Sequence, residues 1–87
     1  MTYYYIYKIT NKINHKIYYG QHTTSNLDDG YMGSGLAIKR AIKKYGKENF
    51  EKKILKFCNN VDELNIIEAR LVNKRWLEKN SNRTYNL

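Results

Sequence analysis

The sequence predicts a small α/β (α+β) domain, and three observations predict it. Two runs of β-branched and aromatic residues, Tyr3-Tyr4-Tyr5-Ile6-Tyr7-Lys8-Ile9 and Lys16-Ile17-Tyr18-Tyr19-Gly20, flank a polar segment at 10–15, which is the pattern of a β-hairpin. Two later stretches space their apolar residues for helices. A third strand-like run, at 49–57, separates those helices.

The first strand is expected at 3–9, with Tyr3, Tyr5, Tyr7 and Ile9 on one face and Tyr4, Ile6 and Lys8 on the other. The second is expected at about 17–21, with Tyr18 and Gly20 sharing one face and Ile17 and Tyr19 the other. Six of the nine tyrosines lie in these two runs. Tyr suits a strand, but a buried phenol needs a hydrogen-bond partner. Facing tyrosines therefore suggest phenols gathered on one surface to bind something, beside the plainer reading of an amphipathic hairpin with half-wet rings. Gly20 leaves room for another backbone or a phosphate to come close.

Residues 22–35 are polar and glycine-rich and read as a loop of a length that is often functional. Asp28-Asp29 within it is read as a turn in preference to a metal site. Gly33-Ser34-Gly35 lacks the Lys and spacing of a phosphate-binding Walker loop, so any anion site there is a weak reading. The first helix should start near Ser34 or Gly35 and stop at Gly46. Ile38, Ala41, Ile42 and Tyr45 form its core stripe. Lys39 with Lys43, and Arg40 with Lys44, make two i, i+4 rows of like charge, either a solvated face or one that a polyanion neutralises.

On the third strand Phe50 and Ile54 are expected to pack, together with Leu55 and Phe57, while Lys52, Lys53 and Lys56 face out. Cys58 reads as a small packing residue. Asn60, with Glu63 three residues on, has the form of a capping box opening the second helix. Leu64, Ile67, Leu71 and Val72 give its apolar stripe, and Glu68 lies inside that stripe. A carboxylate so placed is partly desolvated and needs a cation or donors, supplied by Arg, Lys or a divalent metal. Trp76 is expected to pack under the helix, and residues 84–87 to add a short terminal strand.

Composition bounds the function. An 87-residue chain is one small domain, 1–87, with a modest core. It has no run of about eighteen apolar residues to span a bilayer. The strand pattern follows Met1 with no basic-then-apolar leader, so a cytoplasmic setting is expected. One cysteine excludes an internal disulfide and a Cys-rich zinc site. Sixteen Lys and Arg against eight Asp and Glu, a net +8, imply a polyanionic partner, most often nucleic acid. A membrane surface fits less well, because no helix pairs a wholly basic face with a large exposed apolar one.

Tyr5-Ile6-Tyr7 followed by Tyr18-Tyr19-Gly20 resembles the GIY-YIG nuclease motif, with Tyr5 for the first Gly and Tyr19 for the middle Ile. The basic helix, the lone helical Glu and the late Tyr85-Asn86 extend the likeness over nearly the whole chain. It is most similar to the small phage-borne and intron-encoded homing endonucleases. The resemblance implies a three-stranded antiparallel sheet flanked by helices, and metal-dependent hydrolysis of DNA in the cytoplasm of an infected host cell. Carried over by position, Tyr7 and Tyr18 match the motif tyrosines, Gly20 the motif glycine, Glu68 the metal-binding glutamate and Asn86 the late asparagine, which could instead simply close a turn. Glu68 would hold Mg²⁺ or Mn²⁺, and Tyr7 would position or activate water with Tyr18 in support. His22 would relay a proton or serve as a plain surface histidine; His15, in the turn, reads as the latter. Lys39, Lys43 and Lys44 would meet DNA. The family's usual Arg, eight to ten residues after the motif glycine, is absent, since Asp28, Asp29 and Gly30 occupy that stretch. Either Arg40 or His22 with the loop would have to replace it. Without a replacement the chain reads as a nucleic-acid-binding module of the same fold that does not cut.

Overall fold

A computed structural model describes residues 1–86. Its order is β1 (Tyr3–Asn11), β2 (Ile17–Thr24), α1 (Leu36–Tyr45), a single 3₁₀ turn (Lys47–Asn49), β3 (Phe50–Cys58), α2 (Val61–Leu71) and α3 (Lys74–Asn80). The three strands form one antiparallel sheet in the order β2-β1-β3. No helix among the described residues is long and apolar enough to cross a membrane.

The hairpin register follows the two-residue alternation of the sequence. Tyr5 faces His22, Tyr7 faces Gly20 and Ile9 faces Tyr18. One face of the sheet therefore carries Tyr5, Tyr7, Ile9, Tyr18, Gly20 and His22, and the other carries Ile6, Tyr19 and Gln21. Both strands run past the expected ends: β1 to Asn11 and β2 to Thr24, so His22 is a strand residue and not the start of the loop. Asn11 sustains the longer hairpin. Its side-chain oxygen accepts from Ile13 N at 2.9 Å, and its amide nitrogen donates to Tyr85 Oη at 3.0 Å. His15 closes the turn at φ 64°, a left-handed conformation that His tolerates.

α1 covers the tyrosine face. Ile38 and Ala41 join Tyr5, Tyr7, Ile9 and Phe50 in the core, with Ile42 and Tyr45 packed beside them. Gly46 ends the helix at φ 90°, as its place in the sequence implied. α2 covers the opposite face, where Ile6 and Leu64 are buried. Asn60 caps α2 by accepting from Glu63 N at 2.9 Å; the Glu63 carboxylate turns instead to the Asn59 amide, so half of the capping box forms. α3 is a helix of its own, capped where Asn73 accepts from Trp76 N at 2.8 Å. Its Trp76 packs edge-on against Tyr19 with ring centroids 5.5 Å apart.

Two expectations for β3 fail. A bulge shifts the pairing between Ile6 and Tyr7, leaving Leu55 without an opposite residue. Leu55 is 42% exposed on this edge strand, and Phe57, 52% exposed, packs its ring edge-on against Tyr5 with centroids 6.1 Å apart. Lys52, expected to face out, lies on the tyrosine face opposite Ile9. At the other edge the tail adds one parallel bridge, Ile17 with Thr84. The strand expected at 84–87 is thus one rung long, and Leu87 lies outside the described residues.

Candidate functional site

Three phenols meet where β1, β2 and the loop before α1 converge. Tyr7 is buried, and its hydroxyl lies against Gly20, where a Cβ would come within 2.3 Å of Tyr7 Oη. Gly20 is therefore the gap that accommodates the Tyr7 phenol. Tyr18 lies 6.2 Å from Tyr7 by ring centroids, and Tyr31 meets Tyr7 edge-on at 5.8 Å. The Gly33-Ser34-Gly35 loop closes over them. Gly33, at φ 97°, has room for a Cβ only at 3.1 Å from Ile38 and 3.2 Å from the Tyr18 ring. The glycines that read weakly as an anion cradle are thus used to seat Tyr18.

Burial, reinforced by the neighbouring phenols of Tyr31 and Tyr18, pushes the Tyr7 hydroxyl far above the ordinary tyrosine range. Tyr18 is raised too, by burial first and then by the charges around it, the Glu68 carboxylate among them. Tyr7 is accordingly a neutral phenol at physiological pH, suited to donating a hydrogen bond.

Glu68 sits on α2 with its Oε2 buried and without a hydrogen-bond partner. Desolvation raises its pKa. It lines a cleft of about 270 Å³ with Gln21, Asn65, Ala69 and Val72. Among the described residues no group of three His, Cys, Asp or Glu side chains gathers to hold a metal. A single orphaned carboxylate oxygen nevertheless fits a hard cation of the Mg²⁺ type, which takes one or two carboxylates and completes its shell with water and phosphate oxygens.

The other candidates are placed as follows. His22 lies on the tyrosine face, with Nε2 2.7 Å from Asp29 Oδ2 and its ring stacked on Tyr31 at 3.6 Å. Tyr31 thus contacts both His22 and Tyr7. Asp29 also accepts from Tyr31 N at 3.0 Å, and these bonds, the one to His22 foremost, hold its carboxyl at about 2. Asp28-Asp29 belongs to the loop's turn structure. Arg40 and Lys44 line a separate cleft of about 380 Å³ with Lys16, Asn14, Tyr45 and Tyr85, and none of Tyr7, Tyr18, Gly20 or Glu68 borders it. Lys39 and Lys43 are exposed on α1. Asn86 clasps the edge of β2. Its Oδ1 accepts from Tyr19 N at 2.7 Å and its Nδ2 donates to Tyr19 O at 2.6 Å, so the amide ties the tail to β2.

Sequence reasoning missed Lys52 and Tyr31. The Lys52 ammonium donates to Tyr5 Oη at 2.6 Å and to Tyr31 O at 2.8 Å, and lies over the rings of Tyr5, Tyr7 and Tyr31 at 4.8–5.5 Å. It ties the loop to the sheet. The signal was its parity: Lys52 stands two residues from both Phe50 and Ile54, so it shares their face.

Comparison with known proteins decides the family. A family model described as "Putative endonuclease segE, GIY-YIG domain" matches residues 23–86. The chain belongs to the GIY-YIG family. Relatives from Enterobacteria phage T4 extend the likeness over nearly the whole chain. "Putative endonuclease segC" is 54% identical over 98% of this chain and 42% of its own length, and "Endonuclease segA" 48% identical over 98% and 38%. "Putative endonuclease segD" is 51% identical over 95% of this chain and 36% of its own. The chain thus spans about two fifths of the length of these curated relatives. No solved structure matches.

Proposed function

We propose that this chain is the nuclease domain of an endonuclease that hydrolyses DNA phosphodiesters with a divalent cation, Mg²⁺ or Mn²⁺, held by Glu68. The observation that carries the reading is the orphaned Glu68 oxygen, on a carboxylate whose charge reaches Tyr18, the partner of Tyr7. The relatives named endonucleases support it. A cation held there would supply positive charge to the phosphoryl oxygen and acidify a nearby water. The chain's own part is positioning. Tyr7, its hydroxyl pushed up by burial, is the donor of a hydrogen bond that orients the attacking water or the phosphate. Tyr18 fixes the Tyr7 ring from one side, and Gly20 fixes its hydroxyl from the other. His22 acts through Tyr31. Lys39, Arg40, Lys43 and Lys44 neutralise phosphates along the strand, with Arg40 outside the reacting centre.

A module that binds DNA without cutting is the second reading, favoured by the placement of Arg40 in its own cleft. Plasmid nicking in Mg²⁺ separates the two. The wild-type chain nicks, and Glu68→Ala and Tyr7→Phe each lose about a hundredfold or more. Equal nicking by Glu68→Ala removes Glu68 from the reaction. Salt-dependent binding without cleavage in any divalent metal establishes the binding module.

A further inference from the structure

Among the described residues two buried side-chain oxygens lack any hydrogen-bond partner: Glu68 Oε2 and Gln21 Oε1. They come from different elements, α2 and β2, and both side chains line the same cleft. A buried acceptor left unpaired is destabilising. One orphan is an isolated local defect. Two on residues that border one cleft can be answered by a single electropositive ligand. The rest of the lining, Asn65, Ala69 and Val72, offers no cationic side chain.

The Gln21 amide is also held in orientation. Its Nε2 donates to Asn65 Oδ1 at 2.9 Å, which assigns the nitrogen and leaves Oε1 as the free end. We propose that Gln21 Oε1 is a second oxygen ligand for the divalent cation held by Glu68, and that Asn65 is the positioning residue for that amide. The proposal rests on the metal-dependent reading above and adds to it a donor that no carboxylate pattern could reveal. Hard cations accept amide carbonyl oxygens beside carboxylates. An amide adds a ligand without adding charge, so the ion keeps enough positive character for phosphate oxygens to complete its shell. The placement also links the two halves of the site. Gln21 follows Gly20, so the amide reaches the α2 side of β2 while the Tyr7 phenol rests against Gly20 on the α1 side.

Mn²⁺ titration of the DNA-free 87-residue chain, followed by electron paramagnetic resonance, tests this without any cleavage readout. The wild type binds Mn²⁺, and Glu68→Gln loses that binding. Gln21→Leu, which keeps the shape and removes the acceptor, weakens it about tenfold, and Asn65→Ala by less. Gln21→Glu binds more tightly than wild type, a gain that misfolding cannot produce. Mn²⁺ affinity in Gln21→Leu equal to wild type, or no gain in Gln21→Glu, overturns the proposal while the Glu68 reading stands. Absence of Mn²⁺ binding by the wild type overturns both.

Discussion

On the face covered by α1, buried polar atoms are spent on one another. The Tyr5 hydroxyl takes the Lys52 ammonium, Asn11 takes the Tyr85 hydroxyl, and Tyr7 lies among Tyr18 and Tyr31. On the face covered by α2, Gln21 and Glu68 each leave a buried oxygen unanswered. Tyr5, Tyr7 and Asn11 are fully buried, whereas Gln21 and Glu68 are half-buried, so the less buried pair is the one left unanswered. What separates them is closure: among the described residues the phenol face leaves no buried side-chain oxygen unpaired, whereas the carboxylate face leaves two. The first pattern specifies a conformation, and the second is the one on which the proposed cation site rests.

That contrast can be broken at the glycine joining the two faces. Gly20→Ala puts a methyl group 2.3 Å from Tyr7 Oη and 2.5 Å from the ring carbon that bears it. Tyr7 is walled in by Tyr18 and Tyr31, so its ring has little room to yield. A loss of about 3 kcal/mol is expected, the upper part of the range for overpacking, measured by urea unfolding. Tyr7→Phe in the Gly20→Ala background recovers part of it, giving a non-additive cycle. Strict additivity would mean that the methyl group is accommodated elsewhere.

The closed face breaks less severely at Lys52. Lys52→Met keeps the aliphatic stem but strips Tyr5 Oη and Tyr31 O of their donor. About 2 kcal/mol of stability should go, as for a hydrogen bond to a charged group. The loop at Tyr31 should also loosen, seen as faster amide exchange around Asp29 and Tyr31. An unchanged unfolding midpoint would show that the ammonium is dispensable and that the rings alone close this face.

The ease with which each face could be read from the sequence follows the same division. Strand faces obey an alternation of two, so the sharing of one surface by Tyr5, Tyr7 and Tyr18 was legible. Helix ends obey glycine and asparagine rules, so Gly46 and Asn60 were legible as well. Glu68 stood out because a carboxylate broke an apolar stripe. Lys52 was lost because lysine on a strand is by default a solvent residue, and only the tertiary meeting of three phenols made a buried ammonium tolerable. The bulge that turns Leu55 outward leaves no local sign in a run of ordinary strand residues. Gln21 was illegible for a simpler reason: an amide oxygen counts as unsatisfied only once its surroundings are known.

The smallest expected effect concerns the open face. Desolvation raises the Glu68 pKa in the folded chain. A carboxyl raised above its unfolded value lends its full stability below that value, about 4.5, and loses it as pH rises through the folded pKa. The ionised carboxylate is therefore the form that the folded chain disfavours. Glu68→Gln removes that burden, so at pH 7 without divalent metal its Tm should lie about 2 °C above wild type. Below pH 4.5, where Glu68 is protonated in both folded and unfolded chains, the difference should vanish. Saturating Mg²⁺ should reverse its sign, since a cation bound only by the folded wild type stabilises it by mass action. A variant less stable than wild type at pH 7 without metal would mean that the Glu68 charge is already compensated within the fold, and the distinction between a closed face and an open one would be lost.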